Sequence, residues 1–560
     1  MRIMRVTVNE KRRLFRCCLY CRDKRYLLTA LVLILFIPAL MLQGCLFPAL
    51  QPGTAPPSQE PPEEEAPPQV ALPEKPPPSQ GNFTLRYDPN STLNPITSLS
   101  SDNILLCSLM YEPLFILDSY LNAEPLLCES WEMDGEYTFI FEVKPDIAMS
   151  DGSFLTAEDV VYTLRQAMRT GLYENRLRDI ESVTATGELT VRVDLKKANS
   201  RFIYLLDVPI IKNGSIDFNI PPGTGPYIFA GTQFMRLDSF TRHRDFTRLP
   251  VMMINLRVCD RNEMAELFDD GELTLLWDDP SDTFEIRLNR LHEKHYYDTT
   301  ALQFIGFNMR NVALRDPDVR RAVSYSIDRQ FITENILPRQ ALASPLALSP
   351  AYRLYDPEWE RTILDPLREM SRLLYLSGLE DINDDSFLEY PDGFGGFADF
   401  SIDFIVNNAN LYKIQIANMI AEALRRTGIN ITVRELSRDQ FMTALETGDF
   451  DMYYGEIVLS ADFDFSPLLL PGGKLDYGGT GDSEYDEYIS DFLFMTTDYG
   501  EETAAKRLCD IIRRNAPIVP VVYKRYVVYT PMGAIFGMSP CQSGVFRNFT
   551  DWTIDFTMLS

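Results

Sequence analysis

The stretch LSADFDFSP, residues 459–467, sets two carboxylates among apolar neighbours. Asp462 and Asp464 alternate with Ala461, Phe463 and Phe465, and Leu468 follows. Aspartate is depleted in strands, and an ionised carboxylate is costly to bury without a partner. The pattern therefore asks for a cationic group. Asp-x-Asp spacing also admits calcium, but no further ligand spacing follows it. A local use is open too: either acid can cap a helix beginning at Ser466 or pair with a nearby arginine. Asp464 reads as a turn or solvent residue.

Other residues that could do chemistry are less organised. His292 and His295 form an HxxH in LHEKHYY. The zincin pattern is HExxH on a helix, so two surface histidines is the plainer reading. Asp278-Asp279 and Asp384-Asp385 are adjacent acids. Neighbouring side chains diverge on a strand or helix, whereas glycosidase carboxyls face each other at about 5–10 Å. With 80 acidic residues in the chain, such pairs are ordinary. GxSxG, P-loop and HExxH motifs are absent. No catalytic residue, metal or cofactor is expected.

At 560 residues, 45% hydrophobic, the chain is long enough for more than one core. Its net charge is -27. Residues 1–44 contribute nine Lys/Arg against two Asp/Glu, so the remainder is more acidic still. Such a body repels nucleic acid. Cys107, Cys128, Cys259, Cys509 and Cys541 are scattered and odd in number, so a disulfide framework is not implied.

The N-terminus gives an address. A basic arm, residues 1–25, precedes the apolar YLLTALVLILFIPALMLQGC, residues 26–45. This is a secretory signal or a membrane anchor. LQGC resembles a bacterial lipobox, which makes Cys45 the lipidated residue; a retained transmembrane helix is the alternative. Residues 51–80 hold eleven prolines in thirty positions, a composition that forms no core and favours extended chain. Segment 46–82 reads as a tether.

Beyond it, helix and strand signals alternate. YTFIFEV (137–143) and ELTVRVDL (188–195) have strand periodicity. Thr156 opens a capping-box-like TAED, followed by a helix with Val160, Val161, Leu164, Ala167 and Met168 on one stripe. Asp316-Pro317 is an N-cap and first-turn proline before a helix burying Val319, Ala322, Val323 and Ile327. In 411–458 a helix with Ile414, Ala417, Ile420, Ala421 and Leu424 on its apolar face ends at Gly428. INITVREL is then a strand, Ser437–Gln440 a capping box, and DFDMYYGEIVL a strand. Helix–strand alternation implies an α/β layer with ligand sites in loops beyond strand ends. LSADFDFSP is such a loop.

Several of these stretches, in order, resemble the extracytoplasmic solute-binding proteins of ABC importers, family 5, the oligopeptide/dipeptide/nickel-binding class. They are AEPLLCESWEMDGEYTFIFEVKPDIAMSDGSFLTAEDVVYTLRQAM (123–168), PPGTGPYIFA (221–230), LQFIGFNMRNVALRDPDVRRAVSYSIDRQFI (302–332), TGDFDMYYGEI and APIVPVVYKR (516–525). The resemblance runs from about residue 83 to 550. It implies a two-lobed periplasmic-binding-protein-like fold of class II type, α/β, with an additional subdomain and a ligand cleft between lobes. Domain I would comprise 83–100, 214–305 and 525–560; domain II, 101–213; domain III, 306–524. The lobes would cross near Gly306-Phe307-Asn308 and Val522-Tyr523.

In peptide-binding members an aspartate in an Ala-Asp-aromatic context holds the ligand's α-ammonium group. The resemblance puts Ala461, Asp462 and Phe463 there, with Asp462 as the partner through a charge-assisted hydrogen bond. LNPITS (93–98) resembles the first cleft loop, so Asn94 and Ile96 are candidate lining residues, alongside the aromatics Tyr111, Tyr453 and Tyr454. No basic residue lies between Arg438 and Lys474, which speaks against a short peptide held by its carboxylate.

The expected function is a lipid-anchored binding protein that encloses an oligopeptide or similar solute and delivers it to ABC permease subunits. It would act as a monomer on the outer face of the cytoplasmic membrane, bound there through its lipid. The alternatives are a peptide-sensing receptor on the same fold, or a binder of a nickel chelate, polyamine or oligosaccharide.

Overall fold

The computed structural model describes residues 82–282, 286–361, 363–391 and 396–559. Cys45, the apolar run before it and almost all of the proline-rich tether lie outside them. Among the described residues no helix is long and apolar enough to cross a membrane.

Local sequence signals account for most of the elements. Thr156 and Asp159 close a reciprocal capping box on the helix Ala157–Ala167. The Asp316 side chain accepts from the Asp318 amide at the start of Pro317–Tyr325; Ile327 lies past the end of that helix. The helix Leu411–Arg425 buries Ile416, Ala417, Ile420, Ala421 and Leu424, while Ile414 stays at the rim. Ser437 and Gln440 form the second capping box, on Arg438–Thr447, which Gly448 ends in the left-handed conformation.

The central sheet has seven strands. Its main path runs Leu276–Asp278, Ile518–Pro531, His292–Phe307, Met452–Val458, Ser401–Asn407, Asn430–Leu436, and Ala341–Ala343 pairs with Ile518–Pro531. The strands 401–407, 430–436 and 452–458 are parallel, joined by the two capped helices; the 292–307 pairings are antiparallel. Alternate residues enter two different cores. Ile402, Phe404 and Val406 face one with Ile416, Ile420 and Val319, while Ile405 faces the other with Phe441, Leu508 and Ile512. The outer strand Asn430–Leu436 keeps an alternating pattern, with Ile431 buried and Asn430 and Thr432 exposed.

Two four-stranded sheets share a third core. One has the order Thr84–Arg86, Met253–Arg257, Arg236–Ser239, Tyr227–Phe229; the other is the antiparallel set Cys128–Met133, Thr138–Val143, Thr190–Leu195, Ile180–Ala185. Phe139, buried, stacks on Phe141, and the half-buried Trp131 packs against it at 5.9 Å. The five cysteines of the body are free, and all but Cys259 are buried.

The strands His292–Phe307 and Ile518–Pro531 run antiparallel through the molecule, and their register shifts between Asp298 and Leu302. Side chains satisfy the backbone there. Thr299 Oγ1 donates to the Lys524 carbonyl at 2.7 Å, and Thr300 Oγ1 to that of Leu459 at 2.6 Å. Beside the irregularity, Lys524 is almost fully buried and pairs with Asp279 and with Glu456 at 3.0 Å. Lys413 reaches the other oxygen of Glu456 at 2.9 Å. Burial works against the Glu456 carboxylate, but Lys413 and Lys524 outweigh it and pull its pKa down to about 2. Burial likewise opposes the Lys524 charge, and Glu456 and Asp279 overcome it.

Removing one member of such a buried set leaves uncompensated charge, so Lys524→Ala is expected to cost about 3–5 kcal/mol in urea unfolding. A loss under about 1 kcal/mol would mean that water enters and solvates the acids. Because the Glu456 pKa is lowered on folding, its contribution is present above the ordinary glutamate range. It is lost as pH falls through about 2, so acid unfolding should shift to higher pH in Lys413→Ala.

Candidate functional site

A cavity of about 740 Å³ opens between the segment 172–207 and the loop that follows strand Met452–Val458. One wall carries Asn175, Arg176, Arg178, Lys197 and Asp207; the other runs from Ile457 through Ala461 and Asp464 to Lys474 and Leu475. The charged lining is Arg176, Arg178, Lys197 and Lys474 against Asp207 and Asp464. A chain of net charge -27 therefore lines this cavity with an excess of cations. A second space of about 20 Å³, room for roughly one water, adjoins it between Asn199 and Asp462.

Asp462 is buried in the turn after the strand. Ser460 Oγ donates to its Oδ1 at 2.6 Å and Asn199 Nδ2 to its Oδ2 at 3.0 Å. Burial, and then the charge of Asp464, raise its pKa, while Ser460, Asn199 and the nearby Arg201 favour the carboxylate. The backbone turns sharply at Phe463, whose φ is 57°. This is a rare conformation for a bulky residue, held here by packing on Tyr352 at 4.6 Å and Tyr523 at 6.3 Å. Beyond the turn, Asp464 accepts from the Ser466 amide at 2.8 Å and pairs with Arg178. It is thus a buried, paired acid rather than a solvent residue.

The segment that carries the first wall is tied to parts of the chain distant in sequence. The Ser200 amide donates to the Leu493 carbonyl at 3.0 Å, and its hydroxyl to that of Met495 at 2.8 Å. Lys474 Nζ donates to Asn175 Oδ1 at 2.7 Å. Arg201 is 1% exposed, its guanidinium over the rings of Phe492 at 4.5 Å, Tyr352 at 5.2 Å and Tyr204 at 5.5 Å, with no hydrogen-bond acceptor for Nε, Nη1 or Nη2. Burial pulls its pKa below the ordinary arginine value. Arg176, on the cavity wall, lies 2.8 Å from Asp207 in an ion pair, while its Nε and Nη2 are buried without acceptors. Buried donors without partners are costly in free energy.

The residues singled out from sequence separate into two groups. Ala461 lines the larger cavity and Asp462 the smaller. Phe463, Tyr453 and Tyr454 are buried behind the wall, with Tyr454 donating to Gln303 at 2.8 Å. Asn94 clamps its own loop, donating to the carbonyls of Ile216 and Phe218; Ile96 is fully buried, and the Tyr111 hydroxyl donates to the Pro221 carbonyl. His292 and His295 sit on a strand three residues apart and bond separately, to Arg290 and Thr530. Arg176, Arg178, Asn199 and Arg201 were not singled out. They come from a segment some 260 residues before Asp462, and no local pattern announces them.

The profile of the bacterial extracellular solute-binding proteins, family 5 (middle region), matches residues 122–474. The chain belongs to this family. It is accordingly an extracytoplasmic solute-binding protein of ABC import and not an enzyme, with the two-lobed α/β fold of its class. The glutathione-binding protein GsiB of Escherichia coli K12 is 24% identical over 483 residues, spanning 80% of this chain and 88% of its own. Two solved structures share the fold. AppA from Bacillus subtilis, in complex with a nonapeptide, aligns with a TM-score of 0.60 at 19% identity, covering 85% of this chain and 98% of its own. NikZ from Campylobacter jejuni, in complex with Ni(L-His), aligns with a TM-score of 0.65 at 17% identity, covering 85% and 100%.

In this family 5 protein the Asn199–Asp462 hydrogen bond ties the segment 172–207 directly to the loop after strand Met452–Val458. Asn199→Ala leaves a buried carboxylate short of a donor and should cost about 1–3 kcal/mol in chemical denaturation. An unchanged midpoint would show that water takes the place of the amide.

Proposed function

We propose that this chain is a lipid-anchored importer subunit that captures a short peptide carrying free carboxylates and an α-ammonium group. The observation that carries this reading is the charged lining of the cavity, Arg176, Arg178, Lys197 and Lys474 against Asp207 and Asp464. Guanidinium groups bind carboxylates through paired charge-assisted hydrogen bonds. The absence of a basic residue between Arg438 and Lys474 argued against a carboxylate ligand; Arg176, Arg178 and Lys197 supply the charge from the opposite wall.

The ammonium group is assigned to the acid pair, with Asp462 as its principal partner and Asp464 beside it. Asn199 holds Asp462 in the absence of a solute and yields to the incoming amine. Ala461 contacts the peptide, and Phe463 sets the turn. A cavity of about 740 Å³ falls within the roughly 300–1,000 Å³ usual for small-ligand sites. The charge pattern of glutathione, two carboxylates and one ammonium, suits this lining, and GsiB is named for binding it. Closure would present the loaded form to the permease, and we place its hinge at the strand irregularity of Asp298–Leu302, a few residues before the crossing at Gly306-Phe307-Asn308 expected from sequence. Cys45 would carry the lipid.

Calorimetry with glutathione and unmodified tripeptides tests the reading. Arg176→Ala and carboxyl amidation should each weaken binding by at least about tenfold, the equivalent of 1.4 kcal/mol. Asp462→Ala and N-acetylation should do the same at the other end. Binding of polyamines alone, indifferent to Arg176→Ala, would overturn the carboxylate assignment. For the anchor, mass spectrometry of the membrane fraction should find a lipid on Cys45 that is missing in Cys45→Ala; an unmodified Cys45 in the wild type would remove it.

A further inference from the structure

Far along the chain from the cleft loops, the segment EDINDDSFLE, residues 380–389, links the helix Pro366–Leu376 to the short hairpin Glu389–Pro391 and Phe397–Asp399. None of its residues lines the cavity. One carboxylate oxygen from each of Asp381, Asp385 and Glu389 lies within 4.8 Å of the others. No lysine or arginine among the described residues pairs with any of the three. Three acids brought this close without a cation repel one another, weakly where Asp381 and Asp385 are exposed to water and more strongly at the buried Glu389.

The buried member makes the case. Glu389 is 4% exposed. Its Oε2 accepts from the Ile382 amide at 2.8 Å, while its Oε1 is buried with no donor. A carboxylate oxygen in that position lacks a partner that neither backbone nor side chains supply, and a cation is the group that three acids would share.

We propose that this loop is a calcium site. Asp381, Asn383, Asp385 and Glu389 stand at positions 1, 3, 5 and 9 of a calcium-loop spacing, and Phe387 falls at position 7, which in that pattern contributes its carbonyl. Position 6 of such loops makes a sharp turn that usually takes glycine. Here Ser386 makes it, with a φ of 75°. Backbone amides already orient the ligands: Ser386 donates to Asp381 Oδ2 at 2.9 Å and Phe387 to Asp385 Oδ1 at 2.9 Å. Oxygens held within 4.8 Å of one another suit an ion with bonds of about 2.3–2.6 Å. The set holds only oxygen donors, which selects a hard cation over zinc, and magnesium favours a tighter octahedron that keeps its waters.

The bound ion would tie the loop to the core formed by the helix Leu411–Arg425 and the strand Ser401–Asn407. Leu388 donates its amide to the Gly428 carbonyl at 2.9 Å and packs on that core. Calcium thus acts as a structural clamp outside the cytoplasm, where affinities on the order of 10⁻⁴–10⁻³ M suffice.

The test is titration of CaCl2 into the EDTA-stripped, desalted full chain, by calorimetry and by thermal unfolding. One site with a Kd on the order of 10⁻⁴–10⁻³ M and a rise in Tm is expected. Glu389→Gln and the exposed Asp381→Asn should each weaken that response at least tenfold. If Glu389→Gln does not fold, Asp381→Asn carries the comparison. Solute affinity measured in EDTA should be unaltered in Asp381→Asn, which separates this site from the cleft. No heat and no Tm shift up to about 10 mM CaCl2, an equal response to MgCl2, or an unchanged response in Asp381→Asn would overturn the proposal.

Discussion

The structure depends on one buried cation. Lys524 sits beside the place where the two longest strands lose register, and it binds an acid from each side, Asp279 and Glu456. A lysine so placed is tolerable only while both carboxylates stay in reach. That requirement pins the strand Ile518–Pro531 against its neighbours at the point where it passes from one part of the molecule to the other. The threonines of the bulge, bonded to the Lys524 and Leu459 carbonyls, satisfy the backbone that the shift leaves open. Leu459 begins the loop that forms a cavity wall, so the same few bonds that settle the strand crossing also set where that wall begins.

The cavity carries the opposite charge balance from the chain as a whole. Solvation spreads the outer acids in water, whereas the inner cations are partly desolvated and act at short range. Arg201 and Arg176 show the cost of this arrangement. Each holds guanidinium nitrogens away from water without an acceptor, and aromatic faces offset only part of the loss, about 0.5–2 kcal/mol per good contact. The left-handed turn at Phe463 adds a further unfavourable local choice beside the cavity, one that the packing of Phe463 on Tyr352 and Tyr523 holds in place.

Much of the α/β layer was legible from the chain. Capping boxes at Thr156–Asp159 and Ser437–Gln440, the proline after Asp316 and the glycine at 448 work through bonds within four residues, so they hold whatever the surroundings. The same locality explains the small misses. Ile414 shares the period of its helix but lies at the rim, and Ile327 follows the last turn, because the exact face buried depends on what packs against it.

The site divides along the same line. Sequence alone determined that an acid pair in apolar company follows a strand of an α/β layer, because the alternation of helix and strand signals and the residue types are local facts. Only tertiary structure decided what meets that pair. Asn199, Arg178 and Arg176 approach from a segment that no periodicity links to residue 462, and whether a charge is partnered depends on distances in space. For the same reason the three acids of 381–389 became a cluster only when the chain's return at Glu389 buried an oxygen without a donor. Burial is a property of the folded surface, and no window of sequence contains it.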